Sequence, residues 1–307
     1  MRYWLQLIRW PNLIIVALTM YVLQFKVLLT PFENSQLVNS ISLFNFHLLV
    51  LMTLLATASG YIVNDWFDYK IDLVNKPNKV IINKKITWRI AKLFYLFLII
   101  IGAFISSYLS SKTGLWGITI LYNTVCILLF LYARFFKRTF LIGNIVVSML
   151  CGFVPLLVWY VNRIAITTLG SDKDLLAISY LLKVFITYLA FSVFITLFRE
   201  IVKDIQDIEG DKKYLAKTLP IVSGIKTAKF IAGIAAVSIL LGLCSLGTEL
   251  YLRTGLHNSL IIGIALFFLQ AWSILLLIQA TKKEHFRKLS SVLKACMFLG
   301  LVWLILL

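Results

Sequence analysis

Residues 48–72 read LLVLMTLLATASGYIVNDWFDYKID, an apolar run that passes directly into three aspartates, Asp65, Asp68 and Asp72. Residues 199–211, REIVKDIQDIEGD, close a second apolar run in the same way with Asp204, Asp207 and Asp211. Both sets are spaced D-x-x-D-x-x-x-D. On a helix, steps of three and four at about 100° per residue hold three side chains within an arc of about 60°. Glu200, four residues before Asp204, extends the second row by one turn. Eight of the thirteen acidic residues of the chain fall in these two stretches, so the acidic charge is placed rather than scattered.

The apolar runs ahead of the motifs belong to a longer series. Nine stretches reach bilayer length, about 20 residues each: 13–31, 46–64, 91–111, 115–133, 140–161, 177–198, 229–247, 258–280 and 292–307. With 61% hydrophobic and only 14% charged residues over 307 positions, the chain has too little polar surface for a soluble domain and too many aromatic residues for a disordered one. The reading is an all-α, polytopic membrane protein. Nine transmembrane helices form a bundle with a central cavity, as a single domain over 1–307. The offset of 139 residues between the motifs is four spans, which predicts two similar four-helix halves plus one extra helix. No cleavage site follows Arg2, Arg9 and Pro11, so the first span is expected to be retained.

The net charge of +17 does not point to nucleic acid, because the basic residues alternate with the apolar runs. Twenty-four of the 30 lysines and arginines fall at the N-terminus and after the even-numbered spans. By the positive-inside rule the N-terminus and both motif loops are cytoplasmic, and the C-terminus lies on the opposite side of the cell membrane. Most of these basic residues serve topology and attraction to anionic lipid.

Carboxylates at the C-terminal end of a membrane helix oppose its dipole, so stability does not select them there. Oxygen ligands without neighbouring His or Cys suit a hard cation. Mg²⁺ in particular is held by one or two carboxylates together with substrate phosphates. His47, His257 and His285 are scattered, and Cys126, Cys151, Cys244 and Cys296 lie singly in apolar runs, which argues against zinc, haem or disulfides. Lysines follow both motifs: Lys76, Lys79, Lys84 and Lys85 after the first, Lys212, Lys213 and Lys217 after the second. Metal ions and lysines together fit a departing diphosphate.

NDWFDYKID followed by NKPNK, and DIQDIEGDKKYLAKTLP at 204–220, resemble the two signatures of the UbiA-type intramembrane prenyltransferases, and LIRWPNL at 7–13 is similar to the opening of that family's first helix. The resemblance spans the whole chain. It implies Mg²⁺-dependent transfer of an isoprenyl group from its diphosphate to a membrane-associated acceptor. It also implies metal and catalytic roles for Asp65, Asp68, Asp72, Asp204, Asp207 and Asp211. Substrate contacts are implied for Asn64, Arg9, Asn12, Lys76, Lys79, Lys213 and Lys217. Lys79-Val80 replaces the Arg-Pro pair of many relatives, and the wording after both motifs looks most like the geranylgeranylglycerol-phosphate geranylgeranyltransferase branch. Aromatic, quinone-precursor acceptors stay open. Trp66, Phe67, Tyr69 and Tyr122 are candidates to face an allylic cation. Asn123, Asn144 and Gln270 read as helix-pairing polar groups. A cation transporter would place its charges near mid-span, and a phosphotransferase acting on nucleotide-linked lipids would gather its aspartates in one motif.

Overall fold

The computed structural model describes residues 2–28, 41–167, 172–255 and 258–307; the end of the first expected span, 29–31, and His257 lie outside them. A short helix, α1 (Arg2–Leu7), turns at Arg9 into α2 (Trp10–Tyr21), which continues as a π-helical stretch, Val22–Leu28. The long helices that follow are α3 (Leu43–Asn75), α4 (Trp88–Thr113), α5 (Gly117–Arg134), α6 (Ile142–Thr167) and α7 (Asp172–Lys213). After the single turn α8 (Leu219–Val222), three more complete the bundle: α9 (Gly224–Thr254), α10 (Asn258–Gln279) and α11 (Lys283–Leu306). Among the described residues nine helices are long and apolar enough to cross a bilayer, as the composition requires. No strand is present among them beyond one isolated bridge, Ile82 with Ile86.

The helices outrun the apolar stretches where charge begins. At 1.5 Å per residue, α3 with 33 residues is about 50 Å long and α7 with 42 is about 63 Å, against a hydrocarbon core of about 30 Å. Both motifs therefore ride on uninterrupted helix beyond the expected span ends at 64 and 198. Likewise α11 begins at Lys283 rather than 292. Its first turns are charged, yet Phe286, Leu289 and Leu293 bury one face of them. The end of α3 is set by Pro77, which disfavours helical geometry at Lys76, where φ is −147° and ψ 56°.

α3 packs against α4 and α5, and α7 against α6, α9 and α11, so the motif helices are the spines of the two sides. They meet directly at their C-terminal ends. There the Asn75 amide donates to the Asp207 carbonyl at 3.1 Å and accepts from the Gly210 N–H at 2.9 Å. At the other end of the bundle Gln24 and Asn162 exchange two side-chain hydrogen bonds, at 3.3 and 2.8 Å, and tie the π-helical stretch to α6.

Gly210 is what allows the close approach at Asn75. A Cβ there would sit 2.5 Å from Asn75 Nδ2 and 2.6 Å from its Cγ. Gly210→Ala is expected to destabilise the protein by about 1–3 kcal/mol, the usual cost of overpacking. The double variant with Asn75→Ala should recover part of the loss. Detergent melting temperatures of the two single variants and the double variant form the cycle that checks this.

Candidate active site

The two aspartate rows come to one end of the bundle and face each other across a set of cations. In the first row, Asp68 is buried and ion-paired to Lys137, which also donates to Asn64 Oδ1 at 3.2 Å; Asn64 in turn donates to Asp68 at 2.9 Å. Asp65 pairs with Arg9 at 2.7 Å. Arg9 lies over the Tyr61 ring, 4.6 Å from its centroid, and Asn12 donates to the Tyr61 hydroxyl at 3.0 Å. Burial works against the charge of Arg9. Asp65 outweighs it and holds the guanidinium above its ordinary pKa. In the second row, Asp207 accepts from Lys76 at 2.5 Å, and Asp204 accepts from Asn144 at 2.9 Å. Asp211 is buried, within electrostatic reach of Asp68, Lys137 and Lys76. Asp72 is half-buried and senses Asp68, Lys137 and Lys76.

One turn deeper on α7, Glu200 pairs with Arg199 at 3.2 Å and with Lys203 at 2.5 Å. Beside them Cys151 of α6 is solvent-accessible although Thr196, Glu200, Arg199 and Lys203 surround it. Pro155, inside α6, also leaves the Cys151 carbonyl without its helical donor.

The donor set is all oxygen. Among the described residues no three His, Cys, Asp or Glu side chains converge tightly enough to hold a metal alone. That pattern fits Mg²⁺, which accepts one or two carboxylates and fills the rest of its shell from water and phosphate oxygens. Lys137, Lys76 and Arg9 now supply the positive charge that a metal would supply.

Of the residues singled out in the sequence, the six aspartates, Asn64, Arg9, Asn12 and Lys76 come together here. Lys79, Lys213 and Lys217 are exposed, and their side chains have no ion pair among the described residues. Trp66 and Phe67 point away from the carboxylate row. Trp66 packs on Trp88 with centroids 5.8 Å apart, and Phe67 on Phe130 at 5.7 Å. Tyr69 also packs on Trp88, and the Tyr122 hydroxyl donates to the Ile99 carbonyl. The rings near the carboxylates are instead Tyr61 and Tyr132, the latter within reach of Lys137, Glu200, Asp68 and Asp204. Gln270 bonds across to α9, whereas Asn123 donates to Thr119 of its own helix and, among the described residues, pairs no helices. Lys137 and Arg138, which read in the sequence as topology charges, lie at the site: Lys137 on Asp68 and Arg138 on the Phe67 carbonyl. Their one sequence signal is a position at the same end of the bundle as the motifs.

Residues 36–302 match the sequence profile of the UbiA prenyltransferase family. The chain belongs to that family. It is 32% identical over 257 residues to a digeranylgeranylglyceryl phosphate synthase of Methanobrevibacter smithii, covering 83% of this chain and 84% of the relative. A solved structure described as giving insight into digeranylgeranylglyceryl phosphate synthase in membranes is 26% identical, with a TM-score of 0.66 over 99% of this chain and 97% of that one. A UbiA homologue of Archaeoglobus fulgidus bound to GPP and Mg²⁺ shares the fold at 13% identity, with a TM-score of 0.57 over 98% and 99% of the two chains. The chain is thus an integral-membrane prenyltransferase.

Lys137 tests the geometry. Lys137→Ala removes the cation paired with the buried Asp68 carboxylate, and prenyl transfer is expected to fall roughly ten- to hundredfold, or about 1.5–3 kcal/mol. Lys79→Ala should stay within about twofold of the parent enzyme, since surface charges of this kind contribute little. Initial rates of the two variants at varied isoprenyl diphosphate concentration make the comparison.

Proposed function

We propose that this protein transfers a geranylgeranyl group from geranylgeranyl diphosphate to geranylgeranylglycerol phosphate, releasing diphosphate, with Mg²⁺ as cofactor. The observation that carries the reading is the pair of carboxylate rows facing each other across Lys76 and Lys137. The names borne by the relatives supply the acceptor. Substrates and product are lipids of the bilayer, and the single domain 1–307 holds the whole site.

In this reading Asp65, Asp68 and Asp72 on α3 and Asp204, Asp207 and Asp211 on α7 hold the metal. When bound, Mg²⁺ screens the carboxylates from the diphosphate and stabilises the charge that develops on the leaving group. Lys137 and Lys76 leave Asp68 and Asp207 for phosphate oxygens and remain as donors to the departing diphosphate. Asn64 orients Asp68, and Arg9 and Asn12 fix the position of Tyr61. Lys79, Lys213 and Lys217 add a weaker outer field. The allylic C–O bond breaks in a cavity bounded by Tyr61 and Tyr132, whose electron-rich faces suit a transient carbocation. The acceptor hydroxyl then attacks the allylic carbon and loses its proton. The motif end faces the cytoplasm, where soluble diphosphate is released, and the chain ends on opposite sides of the membrane.

Asp68→Asn or Asp207→Asn is expected to abolish transfer while the protein remains folded in detergent. Product mass from labelled geranylgeranyl diphosphate and a panel of glycerol-phosphate and aromatic-acid acceptors reads activity and acceptor class together. Near-normal turnover in either variant contradicts the metal assignment. A tag ahead of Arg2 should be reachable from the cytoplasm and one after Leu307 only from outside; protease protection in oriented vesicles distinguishes this from ends on the same side.

A further inference from the structure

We propose that Arg199 and Lys203 of α7, with Arg9 at the head of α2, form a separate subsite for the phosphate monoester of the acceptor, one turn deeper than the aspartate rows. This rests on the proposed transfer reaction and names the part of the site that selects the acceptor.

Arg199 and Lys203 share a single carboxylate, Glu200, at 3.2 and 2.5 Å. Arg9 has Asp65 at 2.7 Å and lies within electrostatic reach of Glu200. Three cations thus face two carboxylates at the inner edge of the motif end, where all five side chains are half-buried and unbalanced charge is costly. Asp65 is also one of the proposed metal ligands. Once it serves the metal, three cations face Glu200 alone, an excess of two charges. A phosphate monoester near neutral pH carries up to two negative charges and balances that excess. The second independent observation is Arg199 Nε, which is buried and has no hydrogen-bond partner among the described residues. A buried guanidinium edge left without an acceptor is what a phosphate oxygen satisfies, and Arg presents its donors as a fork that matches phosphate.

The position separates this cluster from the diphosphate region. Lys76 and Lys137 are paired to Asp207 and Asp68, within the aspartate rows. On the α7 wheel, Arg199 and Lys203 lie to one side of the row formed by Glu200, Asp204, Asp207 and Asp211. Cys151 of α6, within electrostatic reach of both cations, is itself exposed. An acceptor whose phosphate sits here brings its hydroxyl toward the allylic carbon from a direction different from that of the leaving diphosphate.

The experiment measures initial rates for the parent enzyme, Arg199→Gln, Lys203→Gln and Arg199→Lys in nanodiscs. Geranylgeranylglycerol phosphate and its dephosphorylated counterpart serve as acceptors, and Mg²⁺-dependent binding of labelled geranylgeranyl diphosphate is measured in parallel. The acceptor KM is expected to rise about ten- to hundredfold in each Gln variant. Donor affinity should stay within about twofold, and the preference for the phosphorylated acceptor should collapse. Arg199→Lys should recover part of that preference. Donor binding doubles as the check that each variant is folded. A fall in donor affinity equal to the rise in acceptor KM would assign these cations to the diphosphate and overturn the subsite. An undiminished preference for the phosphorylated acceptor in both Gln variants would overturn it as well. If the parent enzyme prenylates only aromatic acids, the acceptor reading and the subsite fall together, which a changed variant on an active parent cannot mimic.

Discussion

Mutual repulsion of carboxylates is the constraint on which the rest of this structure depends. Six aspartates and Glu200 lie along the C-terminal parts of two helices, and the last of each row, Asp72 and Asp211, sit in the final turn, where the helix dipole adds negative charge. Two like charges about 5 Å apart cost roughly 3 kcal/mol at an effective dielectric constant near 20. The two helices cannot be brought together on these terms without cations between them. The fold provides those cations from elements remote in sequence: Arg9 before α2, Lys76 after α3 and Lys137 after α5. The neutral Asn75 clamp then fixes the approach of α7 to α3 without adding charge. Each of these cations is held at the carboxylate it pairs with, so the charge of the two rows is balanced within the fold.

The bundle and its helix count were legible because apolar length is a one-dimensional property of the chain. The helix ends were not. Asp65 to Asn75 and Arg199 to Lys213 continue as helix because their apolar neighbours, Ile71 on α3 and Ile201, Val202 and Ile205 on α7, remain buried among other helices. Hydropathy registers the charges and stops; the packing does not. The same division holds at the site. Spacing alone placed each aspartate row on one helix face, and the resemblance carried Arg9, Asn12 and Asn64 to it. Of the lysines expected from adjacency, Lys76, at the C-cap of α3, reaches Asp207 of α7. Lys79, Lys213 and Lys217, a turn or a loop further on, face solvent instead.

Lys137 marks the limit of a linear reading. It lies 69 residues after Asp68, and nothing in its local sequence distinguishes it from Arg134 beside it. Its role comes from the packing of α3 on α5, which turns the 136–138 segment under the first motif and lets Arg138 donate to the Phe67 carbonyl at 2.8 Å. The aromatic expectation failed for a related reason. On a helix, the residues immediately after Asp65 rotate by about 100° and 200° away from it. Trp66 and Phe67 therefore pack toward α4 and α5, while Tyr61, one turn earlier, shares the face of the carboxylates.

The backbone carries a matching signature. Among the described residues four non-glycine positions have positive φ: Arg9 at 52°, Asn83 at 62°, Leu141 at 58° and Leu215 at 55°. A left-handed conformation costs an L-residue roughly 1–2 kcal/mol, and leucine lacks the short polar side chain that offsets it in asparagine. Three of the four lie at the motif end: the α1–α2 corner and the turn after Arg138, which bring Arg9 and Lys137 to the aspartates, and the turn after Lys213. The last two are stitched together, since the Lys217 N–H donates to the Arg138 carbonyl at 2.9 Å. A chain selected only for stability would place glycine at such corners. Arginine and leucine stand there because each corner is fixed by what it carries: Arg9 by its ion pair with Asp65, and the 138–141 and 215–217 turns by their mutual hydrogen bond beneath the two aspartate rows. At Arg9 the strain is offset by the ion pair with Asp65, one of those that keep the rows from driving the helices apart, and at the other two corners by the hydrogen bond that joins them.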